Sequence, residues 1–490
     1  MSVVKKTLMG SSYLSASEIV NQGCSLLRNI ILARFLTKAD FGVAALLGTI
    51  LTLFEMTSKM ALGQQVVQSR HGDNEAFLDS IHFTQLSLGV LSSLLIMAFA
   101  WPLATFVAGP QYIGSILLLG LVPLFSGLGH LEIYRKTRQL QFGRLVLAET
   151  IPQILTTLAA WPLAVFFKDY RAVLWLLLGR SLLFIAMTHL MAERRFSPKY
   201  NREWLNESLR FGWPLLLSGF VQMGNFQGDG MIVAAGYSLS QLGEFSVATT
   251  MAMAPGMLLL RVGNSIGLPL MAQARAHPEE LATQYSRFLE IMAVLACAST
   301  LGMLFCGEQV IVMLYSSKYT GIGALACLLT AAQAIRIIRA TVGITAMACG
   351  DTMNNLLSSS WRLTGLGLAI IVGVLHASIT WFALTGFVGE VISLSVVVAR
   401  LARKQALSPM LTVKPVLLGV LCIGVGIVLN AFAPHGPHLI LNWLWLAAVL
   451  VLTVAAYAIV FPGLRIMIGE FSRKLKSRLG SLFPQQWSES

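Results

Sequence analysis

A chain of 490 residues that is 56% hydrophobic, only 12% charged and has a mean hydropathy of +0.72 is too apolar for a water-soluble globule, which needs roughly a quarter charged residues. The composition defines an all-α polytopic membrane protein, with chain enough for many spans of about 20 residues each. Its net charge of +13 reads as the basic excess of cytoplasmic loops, not as a nucleic-acid surface, since no basic patch is interleaved with aromatics.

In chain order, Lys5-Lys6 precede an apolar run that superficially resembles a signal peptide. The run is about 24 residues long, holds Glu18, Asn21 and Arg28 and lacks a cleavage pattern, so it reads as a retained first span. Apolar runs predict fourteen transmembrane helices over 12–35, 41–66, 83–107, 113–134, 147–167, 173–192 and 211–237, then 245–271, 288–315, 322–349, 355–375, 379–401, 413–432 and 440–461. An N-terminus placed inside leaves roughly two dozen Lys/Arg in cytoplasmic segments and about five outside, and makes both termini cytoplasmic. The six cysteines sit in apolar segments without metal-ligand spacing and read as small core residues. His435 and His438 form a short external turn, a weak metal motif, and no metal site is expected.

Three stretches repeat in order. Ser17-x-x-Val20-Asn21-x-Gly23-Cys24…Arg28 is echoed by Ser218-x-x-Val221-Gln222-x-Gly224-Asn225…Asp229. Asp40-Phe41-x-Val43-Ala44 returns as Glu244-Phe245-x-Val247-Ala248, and Gly63…Gln68-x-Arg70 as Gly267…Gln273-x-Arg275. The repeat predicts an N-lobe of spans 1–6 (residues 1–206) and a C-lobe of spans 7–12 (207–405), related by a pseudo-two-fold along the membrane normal. Spans 13 and 14 (406–463) and a basic cytoplasmic tail (464–490) have no counterpart. No predicted loop exceeds roughly 20 residues, and no P-loop, His-Glu-x-x-His or Gly-x-Ser-x-Gly motif occurs, so neither an ATPase nor a soluble catalytic domain is expected. This is the pattern of a secondary transporter without cofactors.

Ionisable groups within spans carry the functional signal, because each costs about 2.5–3.5 kcal/mol at a helix centre. Polar members of the first repeat share one helical stripe, which nominates Asn21, Arg28, Gln222 and Asn225 for a polar cleft between the lobes. Arg261 and Asn264 share a similar stripe, and Arg336 and Arg339 step by three along span 10, an arrangement suited to a multiply charged anion. The alternative is that these arginines pair with Glu290 or Glu390. Asp229, between Gly228 and Gly230, invites a helix break that binds a cation or proton; an inter-lobe ion pair is the other reading. Glu18 is a proton site or a packing partner. Glu55 and Lys59, four apart, neutralise each other on span 2, while Arg180 and Arg362 lie nearer span ends and read as structural anchors.

Leu27-Arg28-Asn29-Ile30-Ile31-Leu32-Ala33-Arg34-Phe35-Leu36…Asp40-Phe41-Gly42 resembles the polysaccharide-exporter branch of the multidrug/oligosaccharidyl-lipid/polysaccharide flippase superfamily, as do Tyr134-Arg135…Leu140-x-Phe142…Glu149 and Leu242-Gly243-x-Phe245…Ala248. The resemblance implies a V-shaped pair of six-helix bundles that moves undecaprenyl-pyrophosphate-linked oligosaccharide across the bacterial inner membrane. It implies functional cavity arginines at Arg28 and Arg261, with Lys59 a looser match. Expected partners are the lipid-linked sugar, membrane lipids, and a polymerase with its chain-length machinery. The expected drive is the membrane potential or H+ or Na+ antiport through Asp229 or Glu18. The rivals are a cation-coupled drug exporter, which would want an acidic cavity, and a membrane-embedded polymerase or ligase, which would want a long external loop.

Overall fold

The computed structural model describes residues 3–59, 62–105, 109–432, 439–465 and 469, and no strand occurs among them. Its helices are α1 (Val3–Phe35), α2 (Lys38–Lys59), α3 (Leu62–Gln68), α4 (Glu75–Leu103), α5 (Ile113–Leu119), α6 (Leu121–Gly127), α7 (Glu132–Arg138), α8 (Gly143–Phe167), α9 (Arg171–Leu190) and α10 (Arg202–Gly236), followed by α11 (Leu239–Ala274), α12 (Pro278–Tyr315), α13 (Gly323–Ala348), α14 (Met353–Val374), α15 (Ile379–Gln405), α16 (Met410–Phe432) and α17 (Leu439–Val460). Eleven described segments are long and apolar enough to cross a membrane, α5 and α6 together making one of them. With α1, α2 and α10, of 33, 22 and 35 residues, the long segments match the fourteen predicted spans one for one.

Helix starts follow from capping chemistry. Asn201 accepts from the amides of Glu203 and Trp204 at 3.0 and 3.3 Å, so α10 begins nine residues before the apolar run that predicted it. The repeat at the heads of α2 and α11 has a shared cause. At the head of α2 the Thr37 hydroxyl accepts from the Asp40 amide at 3.1 Å and donates to the Asp40 carboxylate, and at the head of α11 Ser238 and Gln241 form a full capping box, so side chains cap both helix heads.

The fourth span departs from the predicted continuous helix over 113–134. It is broken into α5, α6 and α7, and the groups freed at the second break are taken up by side chains. Gln85 donates to the carbonyls of Ser126 and Gly129 at 2.8 and 3.0 Å. His82 Nε2 accepts from the amide of Leu131, and His130 Nδ1 from that of Glu132, both at 3.1 Å. Buried backbone groups freed at a helix break require such replacements.

The chain divides into two units. The first holds residues Met1–Val247 with the segments Met313–Tyr319 and Ile370–Ala377; the second holds Ala248–Val312, Thr320–Ala369 and Ser378–Ser490. In the first, α8 packs against α1 and α9, and α2 against α4 and α10. A bond of 3.3 Å from Gln153 to the Asn21 carbonyl, and another of 3.3 Å from Thr157 to that of Cys24, tie α1 to α8. In the second, α13 lies along α15 and the apolar core gathers on α12. The last two spans dock there: Tyr285 and Thr412 hydroxyls meet at 2.6 Å, and Cys297, Leu301 and Phe305 pack with Leu446 and Val449.

Candidate functional site

The predicted residues fall into groups of different character. Arg336 and Arg339 come together in the second unit, on a carboxylate. Arg336 Nε donates to Glu390 Oε1 at 2.9 Å and Arg339 Nε to Glu390 Oε2 at 2.8 Å; Arg339 also reaches the Ser358 hydroxyl. Arg362 Nε lies 3.5 Å from Glu390 Oε1, and the Glu390 side chain is 1% exposed. Three guanidiniums from two helices, α13 and α14, thus converge on one buried acid of α15. This is the pairing with Glu390 that stood as the alternative for these arginines, and Ser358 and Arg362 are members that spacing on one helix does not reveal.

Arg261 and Asn264 lie on an accessible face of α11, where Asn264 donates to the Leu260 carbonyl at 2.8 Å. In the first unit, Gln222 is exposed and Asn225 donates to the Val221 carbonyl at 3.0 Å. Asn21 Oδ1 is buried without a hydrogen-bond partner among the described residues. Glu18 accepts from Gln22 one turn on, at 3.1 Å. The expected helix break at Asp229 does not occur. α10 runs unbroken through Gly228–Gly230, because flanking contacts with α2, α3 and α4 outweigh a glycine penalty of about 1 kcal/mol each. The Lys59 side chain, the His435–His438 turn and most of the 464–490 tail lie outside the described residues.

Arg28 is half-buried on α1 and acted on electrostatically by Arg180 of α9. Neither has a hydrogen bond or ion pair to any described residue, whereas Arg135, Arg138, Arg144 and Arg400 are all paired. Arg180 is the tenth residue of the 20-residue α9 and Arg362 the tenth of the 22-residue α14, so both sit mid-helix and not near span ends as expected.

Where α1 ends and α2 begins, the first unit is tightly closed. A Cβ on Gly42 would lie 1.9 Å from the Leu239 carbonyl oxygen, and one on Gly243 2.1 Å from that of Lys38. Only glycine permits this reciprocal approach of two capped helix heads. Lys38 Nζ sits 2.6 Å from Glu244 Oε1, Arg34 donates to the Met313 carbonyl at 2.6 Å, and Tyr237 to that of Ala377 at 2.9 Å. At the opposite end of the spans, a cavity of about 300 Å³ is lined by Glu75, Asp79, His82, Arg194, Arg195 and Lys199 among others. Its charges are largely spent in the pairs Arg194–Glu75 at 3.2 Å and Lys199–Asp79 at 2.9 Å.

A helical fold with many long apolar helices and arginines inside its spanning segments defines a multi-span membrane protein. The fold matches the lipid II flippase MurJ in an inward closed conformation, with a TM-score of 0.71 over 92% of this chain and 98% of that one at 15% identity. It also matches an inward-facing multidrug resistance MATE transporter, with a TM-score of 0.59 over 85% and 99% at 14% identity. The chain belongs to the polysaccharide biosynthesis protein family, whose model matches residues 31–324. Relatives include the succinoglycan biosynthesis transport protein ExoT of Rhizobium meliloti (strain 1021), 23% identical over 59% of this chain and 58% of that protein, so the match spans less than two thirds of ExoT. The lipopolysaccharide biosynthesis protein WzxC of Escherichia coli (strain K12) is 21% identical over 71% of each chain. The amylovoran biosynthesis protein AmsL of Erwinia amylovora is 24% identical over 64% of this chain and 81% of its own.

Proposed function

We propose that this protein is a flippase that carries undecaprenyl-pyrophosphate-linked oligosaccharide from the cytoplasmic to the periplasmic leaflet of the bacterial inner membrane, for surface polysaccharide assembly, by alternating access. The observation that carries the reading is the presence, in a fold of a polysaccharide biosynthesis family that matches transporters, of arginines within spanning segments, Arg28 foremost, which has no hydrogen bond or ion pair to a described residue. Guanidinium forks match phosphate oxygens two by two. Arg28 and Arg261 neutralise the pyrophosphate, while Asn21, Gln222, Asn225 and Asn264 hydrogen-bond sugar. Both termini are cytoplasmic on this reading, so the Gly42–Gly243 closure is a shut outer gate. Outward movement of two negative charges gains about 4.6 kcal/mol from a potential of about 100 mV, inside negative. Proton or sodium antiport through Asp229 or Glu18 is the alternative drive.

The MATE likeness keeps a drug exporter as the second reading, but organic cations favour acidic, aromatic-lined sites and the charge excess within the spans here is basic. The test is complementation of a deletion strain. Arg28→Glu with Arg261→Glu is expected to abolish surface polysaccharide and accumulate lipid-linked repeat units at normal protein levels. Full surface polysaccharide from that variant would overturn the reading.

A further inference from the structure

We propose that His82 and His130 form an acid-released clasp on the broken fourth span, holding its second joint shut only while both rings are neutral. On the flippase reading this end of the spans faces the cytoplasm, so the clasp answers the pH inside the cell; the clasp itself does not rest on that reading.

The joint between α6 and α7 is held by side chains of α4, α9 and the joint itself. Gln85 of α4 takes the Ser126 and Gly129 carbonyls, and His189 of α9 meets that of Leu128 through Nε2 at 2.8 Å. The Thr188 hydroxyl accepts from the amide of His130 at 3.1 Å. His82 Nε2 and His130 Nδ1 accept from the next two amides, those of Leu131 and Glu132, each at 3.1 Å. These amides lie at the start of α7, where the helix supplies no acceptor of its own. The three imidazoles pack edge to face, with ring centres 4.7 Å apart for His82 and His130 and 5.4 Å for His130 and His189. Phe196 packs against all three.

A backbone amide only donates, so Nε2 of His82 and Nδ1 of His130 must each keep a lone pair. Protonation puts a hydrogen on both nitrogens of a ring and turns the acceptor into a donor that faces a donor. His189 differs, because a ring nitrogen that meets a carbonyl donates whether the ring is neutral or charged. The Gln85 amide and the Thr188 hydroxyl do not titrate. Acid therefore undoes the bonds to Leu131 and Glu132 and spares the others. The same assignment leaves neither ring a lone pair for a metal, and no group of His, Cys, Asp and Glu among the described residues is arranged to hold one.

The surroundings favour neutral rings in the closed state. His82 and His130 are each 1% exposed. The acids around them are already paired: Glu75 and Asp79 of α4 with Arg194 and Lys199, Glu132 of α7 with Arg135, and Glu193 beyond α9 with Lys136 and Arg144. Arg195 adds a further cation beside His82. An imidazolium here is buried against a second imidazole and several cations, and it gains solvent only when the joint opens. His82 Nδ1, which carries the proton of the neutral ring, is buried without a hydrogen-bond partner among the described residues, so the closed clasp leaves a donor unmet. His82 also lines the cavity of about 300 Å³ that it shares with Glu75, Asp79 and Lys199, which is the route by which a proton reaches the ring.

The test is amide hydrogen exchange of the full chain in detergent, read by mass spectrometry as protection relative to the intrinsic rate at each pH. A ring freed from its amide titrates near its ordinary value of about 6.5, so at about pH 5.5 each histidine pulls the opening equilibrium over by about tenfold. Between about pH 7.5 and about pH 5.5, residues 128–134 of the wild type are expected to lose about tenfold or more in protection, while residues 150–160 of α8 keep theirs. His82→Gln with His130→Asn replaces each accepting nitrogen by an amide oxygen that does not titrate, and should keep 128–134 protected at both pH values. His189→Gln still offers a donor to Leu128 and should respond to acid as the wild type does.

An equal loss of protection in the double variant and the wild type would overturn the clasp, since the acid response would then not pass through these rings. A loss spread evenly over 128–134 and α8 would also overturn it, because acid would be weakening the whole fold with the histidines as passive core. Unchanged protection of the wild type down to about pH 5.5 would do the same. Should the double variant melt below the wild type at about pH 7.5, the single variants His82→Gln and His130→Asn decide. Each should lose about tenfold less protection on acidification than the wild type, and a full wild-type response in both would overturn the clasp. All of these results leave the flippase reading standing.

Discussion

Arg336 and Arg339 show how a charge seen in a sequence acquires its meaning from what faces it. Their three-residue step on one helix suits an anion, but the acid that meets them, Glu390, comes from a span some fifty residues later. No spacing rule on a single helix reports that partner. Breaking a buried pair by removing one member costs about 3–5 kcal/mol, because the other charge is left uncompensated. Glu390→Gln and Arg339→Glu are therefore expected to lower the thermal midpoint and the membrane level of the protein, measured in detergent extracts. The same loss of protein from Arg28→Gln would contradict the division of the arginines drawn here. Arg180 carries the complementary lesson. The apolar run begins at residue 173, two residues into the helix, and the absence of a bond to any described residue is visible only in three dimensions.

At the scale of elements, fourteen long segments were legible because apolar length alone specifies a span. The break in the fourth span was not, since the sequence around Gly127 looks continuous until Gln85, His82 and His130 are found holding the loose backbone. The repeat at the heads of α2 and α11 was legible as pattern, and its physical content is two side-chain caps and two glycines pressed backbone to backbone. Gly243→Ala, whose new methyl would meet the Lys38 carbonyl at 2.1 Å, is expected to keep the heads apart. Disulfide yield between Lys38→Cys and Glu244→Cys should fall at least severalfold, together with transport; unchanged yield and transport would show that the approach is dispensable. A loop makes a separate prediction. Lys136 and Arg144 hydrogen-bond Glu193 and hold its carboxyl at about 2, below the ordinary 4.5. A depressed carboxylate stabilises the fold above its unfolded value and loses that contribution as pH falls through the folded one. The melting point of Glu193→Gln should thus lie slightly below wild type near neutrality, with the gap closing between pH 4.5 and about 2. A gap independent of pH would argue that the ion pairs contribute nothing.

For the molecule as a whole, composition fixed the solvent, the basic loops suggested an orientation, and the repeat suggested two lobes. The fold agrees in class with MurJ and MATE transporters, while α10 and residues 313–319 and 370–377 group with the first half of the chain. The central claim is that the span arginines Arg28 and Arg261 accept the pyrophosphate of a lipid-linked sugar and let it cross. Its most direct measurement is translocation in proteoliposomes that contain lipid-linked oligosaccharide, followed by a glycosidase that acts only on the outer leaflet. Wild-type protein should expose sugar at a rate raised by a membrane potential, and Arg28→Gln with Arg261→Gln should slow it about tenfold or more. Equal rates for wild type and that variant, or transport of organic cations in place of the lipid, would contradict the account.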